Sequence, residues 1–222
     1  MRAYVCDSVS MLESVAMATQ LFNPKPINLQ GRTVRLEPLG AEHAAGLLDA
    51  GRDAALWKWM PRGPFVDESD VRTWIGQAQS CEQSVSFAIL KMEAGQPNQV
   101  VGSTRFLDIQ PENFGLEIGW TWLSPAAQRS PINTECKWLL LGHAFDGLQA
   151  TRVQLKTDSL NEQSQRAMER LGAEREGVLR KHRRIELPDG GVRWRDSVYY
   201  SIIRDEWPAV KTHLDRLLTR EY

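Results

Sequence analysis

A mixed α/β fold, with a central and mostly antiparallel sheet of about seven strands flanked by helices, is what this sequence predicts. Three observations carry that expectation. Segments of alternating polar and apolar residues read as strands, and segments with apolar residues three and four apart read as helices. Along the chain, a run of strands gives way to a strand-helix-strand-helix-hairpin half, which places helices against one sheet.

The elements follow in order. From Gly31, RTVRLEPL alternates and stops at Pro38 and Gly40, which marks a first strand. Residues 41–50, with Ala44, Leu47 and Leu48, and residues 67–80, with Val71, Trp74, Ile75 and Ala78, have helical spacing. Between them lies an aromatic loop, LWKWMPRGPF, broken by two prolines and a glycine. Strands at 85–90, 99–109 and 114–123, separated by Gly, Pro and Asn turn signals, read as an antiparallel meander. The period then changes to a helix at 134–148, a strand at 153–158 and a helix at 161–172 that ends on Gly172. Residues 174–186 and 192–203 form a hairpin around PDGG.

A chain of 222 residues, 42% hydrophobic, is long enough to bury one sizeable core. We read residues 31–222 as a single domain and residues 1–30 as an N-terminal tail. Met17 opens a segment that reads as a natural start, which makes residues 1–16 a loose tail or a gene-start artefact, with a short docked helix as the rival reading. A net charge of -1 gives no general attraction to nucleic acid or to an anionic membrane. No apolar run approaches the roughly 20 residues that span a bilayer. Cys6, Cys81 and Cys136 are odd in number and far apart, so neither a disulfide framework nor a zinc site is expected, and the four histidines form no metal set. A cytoplasmic protein without a metal follows, with homodimerisation left open.

Two segments carry the chemistry. In EIGWTWLSPAAQRSPINTECKWLLL a strand runs through a polar loop into a helix, which aims free backbone N–H groups and the positive helix end at one point, as suits a pyrophosphate. In TDSLNEQSQRAMERLGAE a second strand enters a helix, where Ser159 and Glu162 have capping-box spacing. Strand alternation groups Glu117 with Gly115, Gly119 and Thr121, opposite Phe114, Leu116, Ile118, Trp120 and Trp122. Helical spacing groups Ser164 with Ala167, Met168 and Leu171.

In this order and after that meander, the segments resemble the GNAT acetyltransferase superfamily over about residues 31–206, and within it the branch of Rim-type ribosomal-protein N-terminal acetyltransferases. The resemblance implies acetyl-CoA as cosubstrate and transfer of its acetyl group to a primary amine, either a small molecule or a peptide N-terminus, by direct attack. The family's Gln/Arg-x-x-Gly-x-Gly/Ala loop falls on Gln128, Arg129, Ser130, Pro131, Ile132 and Asn133, where both glycines are replaced and Pro131 offers no N–H. Side chains of Arg129, Ser130, Asn133 and Thr134 then have to supply phosphate contacts, with Asn133 the residue suited to a left-handed conformation. By the same resemblance, Asn161 contacts the pantetheine arm or the neighbouring loop, and backbone N–H groups near Trp122 and Leu123 polarise the thioester carbonyl.

The family's general-acid tyrosine is replaced by Met168, and Ser164 stands where the Rim-type branch has a serine at the sulfur. An inward serine bonding back to a carbonyl is the alternative. Glu117 matches the strand glutamate that acts as base in histone-modifying members, against the alternative of a solvated or ion-paired strand residue. Trp57, Trp59, Met60 and Phe65 lie where the family builds its acceptor cleft, and otherwise form a hydrophobic lid. A covalent route through Cys81 or Cys136 needs a base nearby, and Cys136 shares a helix face with Leu139 and Leu140. Two other functions remain open at this level. One is a CoA-binding module without turnover; the other is an RNA- or ribosome-associated protein, resting on Arg180, Lys181, His182, Arg183, Arg184, Arg193 and Arg195.

Overall fold

The computed structural model describes residues 22–186 and 190–219. Among these residues eight strands form one sheet: β1 (Leu29–Gln30), β2 (Val34–Pro38), β3 (Val85–Lys91), β4 (Gln99–Gln110), β5 (Gly115–Leu123), β6 (Arg152–Asp158), β7 (Glu174–Glu186) and β8 (Val192–Ile203). Their spatial order is β1-β2-β3-β4-β5-β6-β8-β7, and all neighbours are antiparallel except β5 and β6. This is the mixed fold expected from the sequence, with one strand more. Among the described residues five α-helices accompany it: α1 (Ala44–Ala50), α2 (Glu68–Gln79), α3 (Ile132–Gly142), α4 (Glu162–Arg170) and α5 (Trp207–Thr219). A π-helical turn, His143–Gly147, extends α3.

The sheet has a core on each face. On one side, Leu36, Phe87, Ile89, Phe106, Leu116, Ile118 and Tyr200 pack against buried residues of α3, α4 and α5. On the other, Ala88, Leu90 and Trp122 pack against α1 and α2. The strands therefore need apolar residues on both faces, and β3 is buried along nearly its whole length.

Residues 22–30, assigned to the tail from the sequence, pack on the domain. Phe22 is fully buried, 5.8 Å from the Phe114 ring, and β1 pairs Leu29 with Leu36. The turn after β1 is held by Glu135 of α3, whose carboxylate accepts from Thr33 N at 3.1 Å and from Arg32 N. A side chain at Gly31 would overlap that carboxylate, so glycine fits there for lack of space. Residues 1–16, and the start at Met17, lie outside the described residues, as do Pro188 and Asp189 of the PDGG turn.

One irregularity positions the site. Between Arg105↔Gly119 and Ser103↔Trp122 the register shifts, so β5 carries an extra residue there, and Trp120 takes a left-handed φ of 50°. An inserted residue reverses the alternation of everything beyond it. Leu116 and Ile118 accordingly lie in one core and Trp122 in the other. This corrects the face expected for Trp122: it shares the side of Glu117.

Candidate active site

β5 and β6 pair only at Gly115↔Arg152, Leu116↔Val153 and Glu117↔Gln154. Both strands continue, to Leu123 and to Asp158, without further pairing, because the bulge at Trp120 turns β5 aside. Between them opens a cleft of about 920 Å³.

Glu117, at the last paired position, lines the cleft and is only 2% exposed. Its Oε2 accepts from Lys156 Nζ at 2.5 Å and from Gln154 Nε2 at 3.2 Å. The carboxylate is thus the ion-paired strand residue of the second sequence reading, yet it also faces the cleft. Burial with two donors satisfies its charge.

The loop from β5 to α3 forms one wall. Gln128 Nε2 donates to Leu123 O at 3.0 Å and Ser130 Oγ to Ala127 O at 2.6 Å, so both side chains brace the loop. The left-handed residue is Arg129, with φ 56°, rather than Asn133, which lies inside α3. The helix ladder first closes at Glu135 N–H to Pro131 O, 2.9 Å, which leaves the amides of Asn133 and Thr134 among the unpaired donors of the first turn. Trp122, Leu123, Gln128, Arg129, Ser130 and Asn133 line the cleft. Ile132 and Thr134 do not: Ile132 is core, and the buried Thr134 hydroxyl accepts from Arg170 Nη1 at 3.0 Å.

The second wall is the start of α4. Asn161, not Ser159, caps it: its Oδ1 accepts from Ser164 N at 3.1 Å. The hydroxyl of Ser164 has no protein partner among the described residues, and the residue lines the cleft beside Ala167 and Met168. The back-bonded core serine is therefore not what forms.

The aromatic loop divides. Trp59 and Met60 line the cleft. Trp57 and Phe65 do not; both are buried with Trp74 and Trp122, ring centroids 5.0–6.0 Å apart, and Trp57 Nε1 donates to Gly51 O at 2.9 Å. An indole whose N–H is satisfied inside the core is stable there.

Lys137 was not singled out from the sequence. It points from α3 into the cleft wall, 5% exposed, and donates to Thr121 Oγ1 at 2.6 Å. Burial lowers its pKa to about 8. Neighbouring Cys136 is fully buried, and burial pushes its thiol up to about 11, which removes it as a nucleophile. Cys81 is exposed and lies outside the cleft. Of the basic hairpin, Arg183, Arg184 and Arg195 face the cleft. Among the described residues there is no His/Cys/Asp/Glu group able to hold a metal ion, and no helix is long and apolar enough to cross a membrane.

Known proteins share the fold. Residues 33–174 match the acetyltransferase (GNAT) domain family. The uncharacterized N-acetyltransferase YnaD of Bacillus subtilis is 26% identical over 155 residues, 70% of this chain and 84% of the relative. The crystal structure of a GCN5-related N-acetyltransferase from Brucella melitensis superposes with a TM-score of 0.80 at 30% identity, over 88% of this chain and 87% of that one. Spermidine N-acetyltransferase from Vibrio cholerae, solved with CoA and spermine, shares the fold at 13% identity, with a TM-score of 0.64 over 79% of this chain and 98% of that one. The strand splay, the two helix starts that flank it and the family match over most of the chain make this protein a member of the GNAT acetyltransferase family.

Proposed function

We propose that this acetyltransferase takes its acetyl group from acetyl-CoA and gives it to a primary amine, a small molecule or a peptide N-terminus, by direct attack. The observation that carries the reading is the unpaired divergence of β5 and β6 beyond Glu117 and Gln154, with α3 and α4 both starting at the cleft. The amide of Asn133 and the guanidinium of Arg129, both on the cleft wall, suit the pyrophosphate. On the edge that has lost β6, the β5 backbone near Trp122 and Leu123 offers hydrogen bonds to the pantetheine arm and the thioester carbonyl. The amide nitrogen of Asn161 is the group left for the arm, since its oxygen caps α4.

In this reading Glu117 receives the proton of the attacking amine, directly or through a water, and Lys156 with Gln154 holds the carboxylate in place. Ser164 donates to the departing sulfur. Its unpartnered hydroxyl in the cleft, with Met168 one turn on, supports kinship to the Rim-type branch and with it a peptide N-terminus as acceptor. Trp59 and Met60 wall the acceptor's entry. The test is release of free thiol from acetyl-CoA against a panel of peptides, polyamines, amino acids and aminoglycosides. Steady release with at least one amine is expected, and none with any amine, despite tight acetyl-CoA binding, would refute the reading.

A further inference from the structure

Arg183 and Arg195 are direct cross-strand partners on β7 and β8, and both line the cleft. Like charges placed opposite one another destabilise a sheet. Neither arginine has an ion-pair partner among the described residues, and Arg195 Nε is shielded from solvent without a hydrogen-bond acceptor.

The nearby carboxylates are already engaged. Asp158 accepts from Arg193 at 2.6 Å and from Leu160 N at 3.0 Å, while Glu117 accepts from Lys156 and Gln154. The surplus positive charge reaches His182, whose pKa is lowered by burial and then by Arg183, Lys156 and Arg195. Such a pair is a receptor for an anion, and the planar fork of arginine suits a carboxylate or a phosphate alike.

The faces of the sheet decide which anion. Val198 and Tyr200 of β8 belong to the core under α3 and α4, so by alternation Arg195 lies on the opposite side, with Glu117 and Trp122. The helix starts suited to the cofactor's phosphates are thus across the sheet from the two arginines. We propose that Arg183 and Arg195 form a carboxylate subsite at the acceptor end of the cleft, which selects amines bearing their own carboxylate, amino acids or acidic peptide N-termini, over polyamines. The inference rests on the acetyl-transfer reading above.

The experiment compares kcat/KM for matched acceptors with acetyl-CoA: an amino acid and its α-amide, an acidic peptide and its amidated, uncharged counterpart, and spermidine. Carboxylate-bearing acceptors should be favoured on the order of 10- to 100-fold, the worth of a charged hydrogen bond. R195Q should erase the preference, R195K should restore part of it, and R183Q, at an exposed position, should weaken it in a fold that is undisturbed. The Kd of acetyl-CoA should not change in any variant. Equal or better turnover of the amides or of spermidine, or failure of every carboxylate-bearing acceptor, overturns the subsite. Weaker acetyl-CoA binding in R195Q also overturns it, because the arginines then serve the nucleotide phosphate. A native protein that does not bind acetyl-CoA instead sinks the acetyl-transfer reading.

Discussion

Lys137 Nζ donates to Thr121 Oγ1 at 2.6 Å, so a buried ammonium on α3 rests on a hydroxyl of the bulged segment of β5. Thr121 Oγ1 is also 2.8 Å from Thr104 Oγ1, which ties helix, bulge and β4 together. A charge held by a hydroxyl alone keeps much of its desolvation cost, and that cost is why its pKa falls from 10.5 to about 8.

The consequence for stability has a sign and a window. Between pH 8 and 10.5 the folded state binds fewer protons at Lys137 than the unfolded chain does, so stability rises with pH there. Cys136 acts the other way, since its thiol stays protonated to about 11 in the fold against 9.0 unfolded, and stability falls from pH 9 upward. The two effects oppose above pH 9, which confines the net rise to pH 8–9. Urea midpoints at pH 7, 8.5 and 10 should show this rise. K137M should abolish it and stabilise the protein at pH 7 by an amount on the order of 2–3 kcal/mol. C136A should extend the rise toward pH 10, and an unchanged profile in both variants would refute the account.

Arg105 lies between two indoles, 5.0 Å from the Trp74 ring and 4.6 Å from the Trp120 ring. It is buried, its Nε finds no acceptor, and burial lowers its pKa to about 10. The rings supply the compensation that no carboxylate gives. Since Trp120 is the residue in left-handed conformation, the guanidinium also holds the bulge. R105A should cost about 1–3 kcal/mol in urea denaturation and raise the Kd of acetyl-CoA, because β5 is then free to re-pair with β6. Native stability together with native affinity in R105A would remove the guanidinium from any role in the splay.

Phe22 provides a test of where folding begins. A fully buried ring removed as F22A should cost about 3–5 kcal/mol. Deletion of residues 1–16, which show no periodic apolar face in the sequence, should leave the melting temperature and acetyl-CoA binding unchanged. A large fall in melting temperature after that deletion would show that the segment docks.

What the sequence makes legible is what is local. Alternation and helical spacing are properties of short windows, so the meander, the later helices and the hairpin can all be read directly. The bulge cannot, because it needs a left-handed tryptophan that no propensity favours, and the face of Trp122 depends on it. Trp57 and Phe65 look like cleft residues in a Pro-rich aromatic loop. Only the approach of Trp74 and Trp122 from other elements turns them inward. α5 had a usable signal in Trp207, Val210, Leu214 and Leu217, spaced on one helix face. Lys137 had one too: it is a cation beside Cys136, Leu139 and Leu140, and a charge in a helix otherwise suited to the core requires a reason.

The chemical assignment is separable by two substitutions that act on different protons. E117Q keeps the shape of the carboxylate and removes the base, so turnover should fall roughly 10²–10⁴-fold with acetyl-CoA affinity nearly unchanged. The variant leaves Lys156 without its ion pair, so some loss of stability accompanies it, and the double variant E117Q/K156M measured in parallel accounts for that loss. High pH should restore much of the E117Q rate, because the acceptor amine, with a pKa of about 8 for a peptide N-terminus and about 10 for an alkylamine, then arrives unprotonated and needs no enzyme base. S164A should slow turnover without that rescue, since it removes a hydrogen bond to the leaving sulfur and leaves amine deprotonation untouched. The comparison needs a verified acceptor and pH-rate profiles of all three variants. If E117Q and S164A both turn over at the parent rate across the pH range, neither side chain takes part, and positioning within the cleft is what remains to accelerate the reaction.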